Sequence, residues 1–196
     1  MGTDIHGVFQ RRTPEGGWQD VETLYDFNRR YLLFSVLAGV RNGVGFAGIK
    51  TGEPVVPIAE PRGVPGDFVC SEGRKEHGCE RDECYCLGEH SFSWLTSAEM
   101  LAWYANAPAA SRTGVITREQ YSTAERTSPK SYCGDVCGKD IVVVEEAEVP
   151  NTDKEWTHVR VTWNVEMTES LAFFFDEVQR LQDEHGEVRF VFGFDS

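Results

Sequence analysis

Residues 158–196, "HVRVTWNVEMTESLAFFFDEVQRLQDEHGEVRFVFGFDS", set out a strand, a helix and a strand in succession. In the opening run Val159, Val161, Trp163 and Val165 alternate with Arg160, Thr162, Asn164 and Glu166. A period of two turns one set toward a core and the other toward water. In the middle, Leu171, Phe174, Phe175, Val178 and Leu181 recur at helical spacing, with Thr168 as candidate cap and Gly186 as the stop. At the end Val188, Phe190, Phe192 and Phe194 alternate inward, leaving Arg189 and Asp195 on the opposite face.

Working outward, residues 4–13 and 18–27 form the arms of a predicted hairpin, turned by Pro14, Glu15, Gly16 and Gly17. Residues 28–37, "NRRYLLFSVL", predict a short core helix along Leu32, Leu33, Val36 and Leu37, stopped by Gly39. Residues 41–68 carry so many Gly and Pro that a long ordered loop is expected. Thr96 and Glu99 have the Ser/Thr-x-x-Glu spacing of a capping box and open a helix. Short strand-like runs follow between 114 and 149, "DIVVVEEAEV" the clearest. This order predicts an α+β fold, a mostly antiparallel sheet with about three helices packed on one face.

The length of 196 residues suits a single domain over 1–196, with 69–87 as a Cys-rich insertion. A net charge of -13 disfavours a phosphate-tracking surface for duplex nucleic acid, though it leaves room for a local basic pocket. It also fits an acidic inhibitor that docks on a basic protein. No run approaches the apolar length of a membrane span, and the start lacks a basic-then-apolar leader. A cytoplasmic protein without membrane contact is expected.

Gly43, Gly45 and Gly48 in "GVRNGVGFAGIKTGEP" match G-x-G-x-x-G. A dinucleotide fingerprint needs a strand before the glycines and a helix after them, so that pyrophosphate meets the helix N-terminus. Here a predicted helix precedes them, and Pro54, Pro57 and Pro61 follow. Two readings remain: an anion-binding nest flanked by Arg41, Lys50 and Arg62, or a packed loop with surface cations.

Asp4 and His6 lie two apart on one predicted strand face, a spacing that offers a carboxylate and an imidazole to one divalent metal. Glu89, His90, Ser91 and Ser93 precede the capped helix and supply a second candidate ligand or general base. Cys70, Cys79, Cys84 and Cys86, with His77 among them, are candidate ligands of a structural zinc, although their spacings match no familiar finger. Reduced thiols are the alternative for them and for Cys133 and Cys137.

Taken together, "MGTDIHG", "YLLFSVLAGVRNGVGFAG", "PIAEPRGVPGDF", "HSFSWLT" and the terminal "VRFVFGFDS" resemble a family of small bacteriophage and prophage proteins that open with Met-Gly-x-Asp-Ile-His. In similar sequences the segment at His90 often reads His-Ser-His-Ser; Phe92 stands at the second His here. The resemblance implies a phage accessory protein in the cytoplasm of a bacterial host. The Arg-flanked glycine loop makes a nucleotide or other phosphoester the expected ligand, and the resemblance suggests a host defence signal among such ligands.

Two ways of handling that ligand stay open. In one, a metal-dependent phosphoester hydrolase uses Asp4, His6 and His90 for metal or acid–base work. Arg41, Asn42, Gly43, Gly45, Glu60 and Arg62 then form the ligand-binding wall. In the other, the same wall sequesters the ligand intact.

Overall fold

The structure, a computed structural model, describes residues 2–26, 28–69, 85–151 and 155–196. It is α+β, with seven strands in mostly antiparallel sheets and five helices among the described residues. Two compact units divide the chain: Met1–Asn42, Val55–Ala107 and Thr168–Ser196 form the first, Gly43–Pro54 and Pro108–Met167 the second. No described helix is long and apolar enough to cross a membrane.

The first unit is built on β1 (Asp4–Arg12), β2 (Trp18–Val21), β3 (His90–Thr96) and, at the far end of the chain, a strand over Val188–Asp195. Its helices are α1 (Tyr31–Ala38), α2 (Ser97–Tyr104) and, near the far end of the chain, one over Ala172–His185. The second unit contributes β4 (Ala109–Thr117), α3 (Arg118–Tyr121), β5 (Val143–Glu145) and β6 (His158–Glu166). Then come α4 (Met167–Ser170), α5 (Ala172–His185) and β7, the Val188–Asp195 strand.

The four-stranded sheet runs β2-β1-β7-β3, antiparallel throughout. Phe9, Phe190, Phe192 and Phe194 point from it into the main core. There Phe174 of α5 meets Phe190 edge-on at 5.5 Å between ring centres, and Phe34 of α1 meets Phe194 at 5.2 Å. The expected inward set of β7 is therefore correct. Its other face is also covered, because Val191 packs with Phe68 and Leu87 from the loops.

Three elements differ from their predicted extents. The second hairpin arm ends at Val21, because Glu177 of α5 captures the chain just beyond. Its carboxylate accepts from the Leu24 N–H at 2.7 Å and from the Thr23 hydroxyl at 2.8 Å, and these bonds take the place of ladder pairing. The helix expected from Thr168 is divided. Thr168 lies inside α4, its carbonyl accepting from the Tyr104 hydroxyl, and α5 starts after Leu171 with no side-chain cap. "DIVVVEEAEV" holds only three strand residues before a 3₁₀ turn over Glu146–Asn151.

Other local signals act as expected. Gly39 caps α1 in the left-handed region at φ 68°, and Thr96 and Glu99 form a reciprocal capping box on α2. In the second unit β4 and β6 pair antiparallel and β5 adds parallel. Ile116, Val144, Trp156, Val159, Val161 and Trp163 make its core.

Candidate functional site

Strand pairing brings Asp4, His6 and His90 to the same end of the four-stranded sheet, though not onto one face, and Arg41 joins them from the turn after α1. Asp4 opposes Asp195 and His6 opposes Gly193, whereas His90 opposes Phe194. Cross-strand partners share a face, so His6 and His90 lie on opposite sides. On the first side His6 Nε2 donates to Asp195 Oδ2 at 2.9 Å, and the Asp4 N–H reaches Oδ1 at 3.3 Å. Arg29 clasps the Asp4 carboxylate with Nε and Nη2, the latter at 2.7 Å, and holds its carboxyl below the usual range.

On the second side a hydroxyl chain runs from Arg41 to His90. Arg41 Nε donates to Thr3 Oγ1 at 2.7 Å, Thr3 meets the Ser196 hydroxyl at 3.3 Å, and Ser196 meets His90 Nε2 at 3.0 Å. Ser91 closes the chain on His90 Nδ1 at 2.9 Å. Arg41 and Ser91 both have φ of 53°, a left-handed conformation that costs a non-glycine residue about 1–2 kcal/mol. The polar groups at this sheet end thus largely satisfy one another.

The other expected ligand residues have separate places. Asn42 clamps the backbone, its amide donating to the Val55 carbonyl at 2.7 Å and accepting from the Val55 N–H at 2.8 Å. Glu60 is exposed. Gly43 and Gly45 belong to the second unit, where Val44 bridges Lys50 and Gly45 N–H donates to the Ile49 carbonyl at 2.8 Å. A Cβ on Gly43 would lie 3.0 Å from the Gly52 carbonyl oxygen, at φ 76°. The glycine spacing therefore serves a tight turn here. Lys50 pairs with Glu53, and Arg62 with Glu99.

Cys70, His77, Cys79 and Cys84 lie outside the described residues. Cys86 is half-buried against the Phe68–Leu87–Val191 cluster, and Cys133 and Cys137 are exposed thiols. Among the described residues, no three His, Cys, Asp or Glu side chains gather as a metal ion requires. Asp4 is also committed to Arg29, so the Asp4–His6 pair does not present two open ligands as arranged.

Arg62 leads to a different place. It lines a cleft of about 460 Å³ in the first unit, together with Arg12, Trp18, Asp67, Trp94 and Arg189. Register creates it: Arg12 opposes Trp18, Gln10 opposes Arg189, and Thr96 opposes Arg189 from the other side. Three guanidinium groups sit over two indoles. Arg189 is 4.2 Å and Arg12 5.0 Å from the Trp18 ring centre, and Arg62 is 5.2 Å from that of Trp94.

Arg189 is the unusual member, with its side chain only 3% exposed. Nε donates to Gln10 Oε1 at 2.9 Å and Nη1 to Asp67 Oδ1 at 2.7 Å. Nη2 is buried with no hydrogen-bond acceptor among the described residues, so its contact is the indole face. Burial lowers the Arg189 pKa from its ordinary value, and Asp67 opposes that shift. Arg12 carries no ion pair among the described residues, which leaves an unmatched cation beside the Trp18 ring.

Of this group only Arg62 stands out in the sequence as a candidate ligand residue. Arg189 was visible as a charged residue on the far face of β7, and Trp18 as the first residue of a hairpin arm. Their meeting depends on a register between chain ends that no local pattern encodes. No family model matches the chain, and neither curated proteins nor solved structures give a match.

Proposed function

We propose that this chain binds a nucleotide or similar aromatic phosphoester in the Arg–Trp cleft and holds it without chemical change. One observation carries the reading: Arg12, Arg62 and Arg189 converge over Trp18 and Trp94 around a cleft of about 460 Å³. Indoles offer a stacking surface to a base, and the guanidinium of Arg12, which has no ion pair among the described residues, offers paired donors to a phosphate.

Sequestration is preferred to hydrolysis because of what lines the cleft. Its described lining includes neither His nor Cys, and of its two carboxylates, Asp67 and Glu187, Asp67 is committed to Arg189. The His6–Asp195 pair lies six residues along β1 from Arg12, roughly 20 Å by strand rise. The resemblance to phage proteins makes a host signalling nucleotide the natural ligand, held in the bacterial cytoplasm. Hydrolysis is the second reading, favoured by the hydrogen-bonded His6–Asp195 pair alone.

Calorimetric titration with linear and cyclic nucleotides, with and without Mg²⁺, Mn²⁺ or Zn²⁺, tests both. Saturation at a fixed ratio, with intact ligand recovered after denaturation, supports sequestration. Product exceeding the amount of protein supports the hydrolase, and absence of both binding and turnover refutes each. Trp94→Ala should weaken binding by about tenfold or more, the scale of one lost base stack.

A further inference from the structure

We infer that Asp67 is a resident counter-ion of the cleft, and that a ligand phosphate binds by displacing it from Arg189. The inference rests on the reading of the cleft as a phosphoester site. Arg189 is fixed: its side chain is 3% exposed, Gln10 holds Nε, and the Trp18 indole lies against the guanidinium. Asp67 is its opposite, with a side chain 58% exposed. It sits in the turn closed by the Phe68 N–H on the Pro65 carbonyl at 2.9 Å. Gly66 beside it has open space where a Cβ would lie.

The buried cation is thus matched by one carboxylate that approaches from solvent on a Gly/Pro turn. The match is incomplete. Asp67 accepts from Nη1, while Nη2 has no acceptor among the described residues. A phosphate has enough oxygens to accept from Nη1 and Nη2 together, and charge-assisted paired bonds are stronger than a single one. With Asp67 in place, an incoming phosphate also meets a like charge, and Glu187 lines the same cleft. Occupancy therefore couples to release of the Pro65–Phe68 turn, and Asp67→Asn, which removes the resident charge, should favour the bound form.

Calorimetric titration of wild type and Asp67→Asn with adenosine monophosphate, inorganic phosphate and adenosine tests this. Asp67→Asn should bind adenosine monophosphate and phosphate about tenfold more tightly, with adenosine unchanged. Equal or weaker binding of the monophosphate, or equal tightening of adenosine, overturns the displacement while leaving the cleft reading intact. No binding of monophosphate or phosphate to either protein overturns both. Hydrogen exchange on wild type supplies a second test that needs no variant. Adenosine monophosphate should speed exchange of the Phe68 amide, and slower exchange there contradicts release of the turn.

Discussion

Arg62 donates from Nη2 to Glu99 Oε1 at 2.6 Å and from Nη1 to Oε2 at 3.2 Å, clasping the Gly/Pro loop to the first turn of α2. The same carboxylate accepts from the Thr96 N–H and hydroxyl, both at 2.9 Å, so one side chain caps the helix and anchors the loop. Glu177 plays a similar part on α5, bound by Arg180, the Leu24 N–H and the Thr23 hydroxyl.

Both carboxyls should make the fold acid-sensitive. Arg62 brings the Glu99 pKa down to about 2, and Arg180 does the same for Glu177, from an ordinary value of 4.5. A pKa lower in the folded state gives stability that is complete above the ordinary value and fades as pH falls toward the depressed one. Urea midpoints should therefore drop between about pH 4.5 and pH 2. Glu99→Gln and Glu177→Gln should each flatten that drop; variants that track wild type through the window contradict the assignment.

Glu177→Ala should destabilise the protein at neutral pH by about 1–3 kcal/mol, the scale for removing a buried acceptor from its donors. The residue is 7% exposed and meets three separate partners. Chemical denaturation measures this directly, and a loss below about 0.5 kcal/mol, the range of ordinary surface substitutions, argues against a structural role.

Two glycines should respond oppositely to alanine. A Cβ on Gly193 would lie 2.3 Å from the Leu87 carbonyl oxygen and 2.6 Å from the Phe92 ring, whereas one on Gly66 meets nothing within 4 Å. Gly193→Ala should cost about 2–3 kcal/mol through forced overpacking, and Gly66→Ala should stay within about 0.5 kcal/mol of wild type. Similar unfolding temperatures for the two variants contradict the close approach at Gly193.

Where a pattern is local, the chain announces its structure. The alternation of β7, the helical stripe of Leu181, Val178, Phe175 and Phe174, the Gly39 stop and the Thr96–Glu99 box all depend on residues near one another. The short β2 does not: its end is set by Glu177, 153 positions beyond Leu24. Asp4 and His6 share a face as their spacing implies, yet no local pattern marks their partners Arg29 and Asp195. His90 is on the other face because it pairs with Phe194, a relation fixed by register. The cleft depends on register too. Arg12 and Trp18 could be matched across a hairpin, but Arg189 joins them only through pairing of β7 with β1.

The most direct test of the account is a nuclear magnetic resonance titration of the wild-type protein with adenosine monophosphate, read at the indole N–H signals of its five tryptophans. Trp18 and Trp94 line the cleft, while Trp103, Trp156 and Trp163 lie outside it. A saturable shift of the Trp18 and Trp94 signals, with the other three nearly still, is the expected result. Signals that stay fixed throughout, or shifts confined to backbone amides around His6 and Asp195, contradict an aromatic phosphoester site at the Arg–Trp cleft.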